Sequence, residues 1–304
     1  MMKVLSYIAA LFLLAGCGKP APSTGARLPE RIITLAPNIT ETAYALGLGG
    51  KLVGATTFCN YPGEAQRLPR VGGFGQFNFE AIVALDPDLV ILHEECKAEQ
   101  DRLASLGIPY LETGSHTIAD ILATVRAIGK ACGAESEAEQ LAQRLNRRIA
   151  ELKHPAAPRP RVLIAFGGSA GNGGQVHAFG RNCLHNELLE IAGGTNIVEG
   201  DRPYALLSKE AILRLNPDIV MVLAPELEDA QAEQDKWQSF SAIHAVKNQR
   251  VHILTDDYTC IPGPRFIQIL EDFSEIIRQN NSNMKQPPQA RIILSKIILS
   301  NKHA

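Results

Sequence analysis

Four groups of residues in this chain carry chemistry of their own. Gly167-Gly168-Ser169-Ala170-Gly171 has the G-x-S-x-G form of a nucleophile elbow. An elbow holds its serine on a tight turn between a strand and a helix. Here Asn172-Gly173-Gly174 follows, where no helix can start, so a glycine loop is expected; an exported serine hydrolase using Ser169 is the alternative. His93-Glu94-Glu95-Cys96 begins directly after an apolar run at 88–92. In open α/β sheets ligands collect beyond the carboxyl ends of strands, so His93 is expected to face a cleft, where an imidazole can also touch a metal. A solvated loop is the alternative. The aromatic residues Phe58, Tyr61, Phe74, Phe77, Tyr204 and Tyr258 gather in loops. Rings in loops suit a flat, partly apolar ligand, because they offer large contact area at little entropic cost; otherwise they plug their own lobe. The fourth group is a pair, Glu80 and Glu210.

That pair belongs to a repeat. Residues 80–92 read EAIVALDPDLVIL and residues 210–222 read EAILRLNPDIVMV, an offset of 130 residues that RIITLAP at Arg31 and RVLIAFG at Arg161 also keep. One fixed offset at two places implies a duplicated unit and two lobes of like construction, whereas solenoid repeats recur every ~20–50 residues. Each glutamate falls in the first turn of a short helix, where the helix dipole alone favours it. If a pseudo-twofold relates the lobes, the two also form a symmetric acidic pair suited to a twofold partner bearing arginines.

The elements that position these groups alternate. Strands are expected at 31–35, 51–55, 88–92, 108–111, 161–166, 218–223 and 251–254, and helices at 97–106, 117–131, 182–192, 229–239 and 265–279. Such alternation means parallel β-α units. Asn38, with Glu41 three residues on, is expected to cap the first helix. The long loop 56–77 is expected to be functional, and a hairpin is expected around 175–180. The clearest helix is 135–153, with Ala138, Leu141, Ala142, Leu145, Ile149 and Leu152 on one stripe. Pro155, Pro158 and Pro160 end it and leave a stiff strut between the two copies. The fold class is α/β: two Rossmann-like lobes with mainly parallel central sheets, joined by one long helix, and a ligand cleft between them.

Lys3, the apolar run 4–14 and Leu14-Ala15-Gly16-Cys17 make an export signal. Residues 18–29, rich in Pro, Gly and Ser, read as a flexible tether. Export permits disulfides, and Cys59–Cys96 is the expected pair because both follow strands. The eight histidines are scattered and no C-x-x-C occurs, so no dedicated metal site is expected. A net charge of −2 argues against nucleic acid as partner, since phosphate binding needs a basic face. The chain divides into a signal peptide at 1–16, a tether at 17–29, an N-terminal lobe at 30–134, a bridging helix and linker at 135–160, a C-terminal lobe at 161–279 and a tail at 280–304.

Leu14-Ala15-Gly16-Cys17 resembles a lipoprotein lipobox, which makes Cys17 the lipidated first mature residue. Together with Arg31–Pro37, Asn60-Tyr61-Pro62, Val71-Gly72-Gly73-Phe74, residues 80–91 and Leu207–Ile212, it resembles the helical-backbone substrate-binding proteins of ABC importers, which carry cobalamin, haem or iron-siderophores. The likeness covers about residues 30–279 and is greatest to the cobalamin-binding members. It implies no enzymatic activity, no cofactor apart from the cargo, and a permease dimer with its ATPase as partner. The place is the periplasmic side of a bacterial membrane, reached through the lipid anchor. By the same resemblance Glu80 and Glu210 dock onto permease arginines, and Tyr61, Phe74, His93, Tyr204, Asp257 and Tyr258 contact a corrinoid. The chain departs from those members where Phe, Tyr or His replaces Trp and where Ile261 stands for an arginine. Tyr204, Tyr258 or His93 would serve a haem binder as axial ligand.

Overall fold

A computed structural model describes residues 27–73, 75–154, 158–168, 175–225 and 227–283. Cys17, Phe74, Ser169 and the tail beyond 283 lie outside the described residues, as does the signal peptide.

The first half of the chain runs β1 (Ile32–Thr34), α1 (Pro37–Ala45), β2 (Leu52–Ala55), β3 (Gly72–Gly73), β4 (Gln76–Phe77), α2 (Phe79–Ala84), β5 (Leu89–His93), α3 (Lys97–Ser105), β6 (Tyr110–Thr113), α4 (Ile118–Cys132) and α5 (Glu135–Leu152). Strands β2-β1-β5-β6 form one all-parallel sheet, and β3 and β4 make a small separate ribbon in the long loop. The second half runs β7 (Arg161–Phe166), β8 (Val176–Phe179), α6 (Leu184–Ala192), β9 (Thr195–Asn196), β10 (Tyr204–Leu207), α7 (Lys209–Leu215), β11 (Ile219–Leu223), α8 (Ala230–Trp237), α9 (His244–Lys247), β12 (Val251–Leu254) and α10 (Phe266–Asn283). Its sheet has the order β10-β8-β7-β11-β12, with β9 beside β7. Here β7, β11 and β12 are parallel, while β8 runs antiparallel to both β7 and β10. The expected hairpin around 175–180 is thus the single strand β8, and Tyr204–Leu207 closes the sheet as edge strand β10, entered directly after Pro203.

Alternation along the strands sorts the core into three parts. Ile32 of β1, Leu89 and Ile91 of β5, Val162 and Ile164 of β7, and Ile219, Met221 and Leu223 of β11 share one continuous core with α1, α4, α5, α6 and α10. The intervening residues turn outward: Ile33, Val90 and Leu92 pack on Ile82 of α2, and Leu163, Val220 and Val222 pack on Ile212 of α7. Along α5, Ala138, Leu141, Ala142, Leu145 and Leu152 are buried and Ile149 is partly so. This stripe packs on α4 of the first half and on α6 and α10 of the second, so α5 touches both lobes.

Two expectations fail for identifiable reasons. Pro37 takes the first helical position of α1, so Ala36 is the cap and Asn38 lies inside the helix with no capping bond; proline is pre-set for that position and needs no N–H partner there. Cys59 and Cys96 are free thiols. Cys59 follows β2 and Cys96 follows β5, but β1 lies between these strands. Two strand spacings are about 10 Å, beyond the roughly 7 Å that a disulfide spans between α-carbons. Cys59 is instead fully buried with its thiol 3.1 Å from the Thr56 hydroxyl.

Candidate functional site

A cavity of about 420 Å³ opens between the lobes. The first lobe lines it with Ala36, Pro37 and Asn38 after β1, with His93, Glu95 and Cys96 at the end of β5, and with Ser115 and His116 after β6. Tyr204 at the start of β10 and Cys260, Ile261 and Pro262, beyond β12, supply the facing wall. In the first lobe all three contributing segments leave carboxyl ends of parallel strands, where the connecting loops diverge and leave a crevice.

The two walls differ in character. On the first, the His93 Nε2 lies 3.1 Å from Asn38 Oδ1, and burial pushes its pKa below the usual histidine value, so the ring is neutral near pH 7. His116 Nε2 contacts a carboxylate oxygen of Glu95 directly. Burial opposes ionisation of Glu95, but a bond from its own backbone N–H and the hydrogen bond from His116 outweigh it and hold the carboxyl below the usual range. Glu94, Glu95 and His116 bring three donor atoms within 4.8 Å of one another, all on exposed side chains. On the second wall, Phe166 of β7 stacks on Phe179 of β8 at 4.0 Å between ring centroids. Tyr204 closes on both at 5.8 and 5.9 Å, and His185 of α6 backs Phe179 at 4.1 Å. The His185 Nε2–H donates to the Thr259 carbonyl at 2.8 Å. Burial lowers its pKa to about 4, so the stack carries no charge from it. Tyr204 therefore rests on an aromatic platform, yet it is 58% exposed: a ring held in place and offered to a ligand.

Of the six expected ligand residues, the structure brings His93 and Tyr204 to the cavity. Tyr61 and Asp257 are engaged elsewhere, both with Arg265, which precedes α10. The Arg265 guanidinium donates to both carboxylate oxygens of Glu41 in α1 (Nε–Oε2 2.9 Å, Nη2–Oε1 2.5 Å) and to both of Asp257 (2.7 and 3.0 Å). The Tyr61 ring covers it at 3.8 Å. Burial works against the charge on Arg265, and the bonds and charges of the two carboxylates outweigh it, so it stays protonated. Burial raises the Glu41 pKa and the guanidinium pulls it part of the way back; the two hydrogen bonds that Glu41 accepts fit the ionised pair. This knot joins residues 224 positions apart across the lobes. The backbones are close there: a Cβ on Gly263 would sit 3.1 Å from the Asn38 Cα, so a side chain at that position would press α1 away by a few tenths of an ångström. Tyr258 donates to Asp272 at 2.9 Å and packs on the shared core. Burial, reinforced by Asp256, Glu271 and Glu275, pushes Asp272 up to about 7 against the Tyr258 bond. Cys260 in the wall is a thiol that burial raises to about 11, which keeps it protonated.

Sequence reasoning singled out Glu95 and Cys96 only as neighbours of His93, without a ligand role, and missed Asn38, Ser115, His116, Cys260 and Pro262. The strand-end rule that singled out His93 reaches most of them once applied to β1 and β6 as well.

Away from the cavity, the repeat is copied down to single bonds. Asn78 Oδ1 accepts from Ala81 N at 3.0 Å, and Ser208 Oγ from Ala211 N at 3.2 Å. Arg31 Nη2 donates to the Leu85 carbonyl at 2.6 Å, and Arg161 Nη2 to the Leu215 carbonyl at 2.5 Å. The Asp88 and Asp218 carboxylates each accept from the backbone N of the matching arginine at 2.9 Å. Asp86 and Asn216 take the left-handed turn at φ 44° and 46°. Glu80 and Glu210 thus occupy one position of one local structure, and both are exposed.

The sequence profile described as "Periplasmic binding protein" matches residues 32–258. The chain belongs to that family. It is 29% identical to the ABC transporter substrate-binding lipoprotein YvrC of Bacillus subtilis, over 90% of this chain and 95% of the relative. The solved structure of the periplasmic vitamin B12 binding protein BtuF of Vibrio cholerae superposes with a TM-score of 0.72 at 27% identity, covering 83% of this chain and 98% of that one. A periplasmic heme binding protein from Pseudomonas aeruginosa superposes with a TM-score of 0.71 at 26% identity, over 82% and 93% of the two chains. The fold is accordingly the α/β cleft type of periplasmic binding proteins, and the family comprises extracytoplasmic substrate-binding proteins of ABC importers, a transport and not an enzyme family.

Proposed function

We propose that the protein captures a cobalamin-type corrinoid in the interlobe cavity and delivers it to the permease dimer of an ABC importer, while Cys17 anchors it by lipid to a bacterial membrane. The observation that carries the ligand class is the second wall: Tyr204, more than half exposed on the Phe166–Phe179 stack, offers a flat face beside the apolar Ile261 and Pro262. A rigid ring gives contact area without ordering cost. The likeness to the vitamin B12 binding protein of Vibrio cholerae supports the choice of macrocycle. His93 and His116 on the facing wall favour haem as the second reading, because imidazole is a ligand for its iron. Residues 30–134 and 161–279 act as the two lobes, and 135–160, containing α5, restrains their opening to a modest hinge motion. Glu80 and Glu210 dock the loaded protein on permease arginines, one from each lobe.

Calorimetric titration of the purified protein with cyanocobalamin and, separately, with haemin tests the ligand. Saturable cyanocobalamin binding at micromolar or tighter concentration is expected. Haemin binding with no cyanocobalamin binding would replace the first reading by the second, and no binding of either would end both.

A further inference from the structure

The docking helices carry more than a glutamate. In α2 the inward residue is Ile82 and in α7 it is Ile212, both fully buried. One residue further on, each helix exposes a large apolar side chain: Val83 is 48% exposed and Leu213 is 36% exposed. Val83 and Leu213 are separated by the repeat offset, and each stands three positions after Glu80 or Glu210. On a helix, residues three apart are neighbours on one face. A lone exposed Val or Leu is ordinary on a protein surface. Its recurrence at the same position of two frameworks that share caps, arginine contacts and turn geometry is not accounted for by folding, because neither side chain belongs to the core of its lobe.

We infer that Glu80 with Val83, and Glu210 with Leu213, form two equivalent composite docking knobs for the permease dimer, each half of which presents an arginine beside an apolar pocket. This rests on the proposed docking role of the glutamates and adds the element that makes them strong. An exposed ion pair in water contributes little, whereas apolar neighbours that exclude water around a charged contact concentrate the binding energy there. Two like knobs on one chain require two like receptors, which a twofold dimer supplies. The acidic member of each knob makes the receptor basic, and the apolar member makes its immediate surround greasy.

The test uses the full-length lipoprotein and the permease–ATPase complex of its own organism in lipid nanodiscs, with association read by interferometry at several salt concentrations. Val83→Gln with Leu213→Gln puts a good helix former at both positions and should leave thermal stability no lower and cyanocobalamin affinity unchanged. Affinity for the permease should fall at least fivefold, with the salt dependence retained. Glu80→Gln with Glu210→Gln should weaken association and flatten its salt dependence. If the apolar pair changes affinity by less than fivefold while the glutamate pair abolishes it, the composite knob is wrong and glutamate docking stands. If neither pair matters, docking through these helices is itself wrong.

Discussion

Removal of the Arg265 guanidinium should be the most damaging single change near the cleft. Arg265 is 8% exposed and Glu41 4%. Substituting Arg265→Met keeps much of the stem and leaves the Glu41 carboxylate buried without its two donors. Breaking a buried pair from one side costs about 3–5 kcal/mol, because the remaining charge is uncompensated. The share owed to Asp257 is small, since its side chain is 40% exposed and water screens it. For a chain of this size 1 kcal/mol corresponds to roughly 2–4 °C in Tm, so the melting midpoint should fall by about 10 °C. Glu41→Gln alone should cost less, since it leaves an exposed partner, Asp257, for the guanidinium. The double variant should recover a large part of the Arg265→Met loss, giving a coupling energy of about 2 kcal/mol or more in the cycle. Urea unfolding of the four proteins, with unchanged m-values, provides the measurement. If Arg265→Met costs below about 1 kcal/mol, or if the two changes simply add, the knot is no stronger than a surface ion pair and does not hold the lobes together.

Two further outcomes follow from the site. Asp272 has its folded pKa raised from 3.8 to about 7 by burial. The folded state therefore holds a proton that the unfolded state has released, and the stability it contributes is complete below pH ~4 and lost as pH rises through ~7. Asp272→Asn should leave stability at pH 4 nearly unchanged and raise it at pH 8 by on the order of 3 kcal/mol; equal gains at both pH values would refute the assignment. Tyr204→Ala removes an exposed ring, so Tm should move by no more than a few degrees while cyanocobalamin affinity falls about tenfold or more; an unchanged affinity would remove Tyr204 from the site.

Local signals in the chain were sufficient for local structure. The apolar stripe of α5 and each copy of the repeat are patterns among near neighbours, and the structure realises them, the two copies down to matching caps at Asn78 and Ser208. Period-two alternation likewise assigns Ile32 and Ile33 to opposite faces of β1. His93 was readable as a cleft residue because its place at a strand end is itself a sequence feature. Partners across the cleft were not readable. Tyr61 and Asp257 look like free ligand contacts from their loops, and only the approach of α1 to the segment before α10 turns them toward Arg265. Cys59 and Cys96 each follow a strand, but sequence order does not say that β1 enters between β2 and β5. By itself the sequence determined the two lobes, the family resemblance and the equivalence of Glu80 and Glu210, because short-range patterning encodes periodicity and capping. Tertiary structure alone decided which loops line the cavity, which thiols stay apart and which charges are spent on the lobe junction, because those contacts join residues as distant as Glu41 and Arg265.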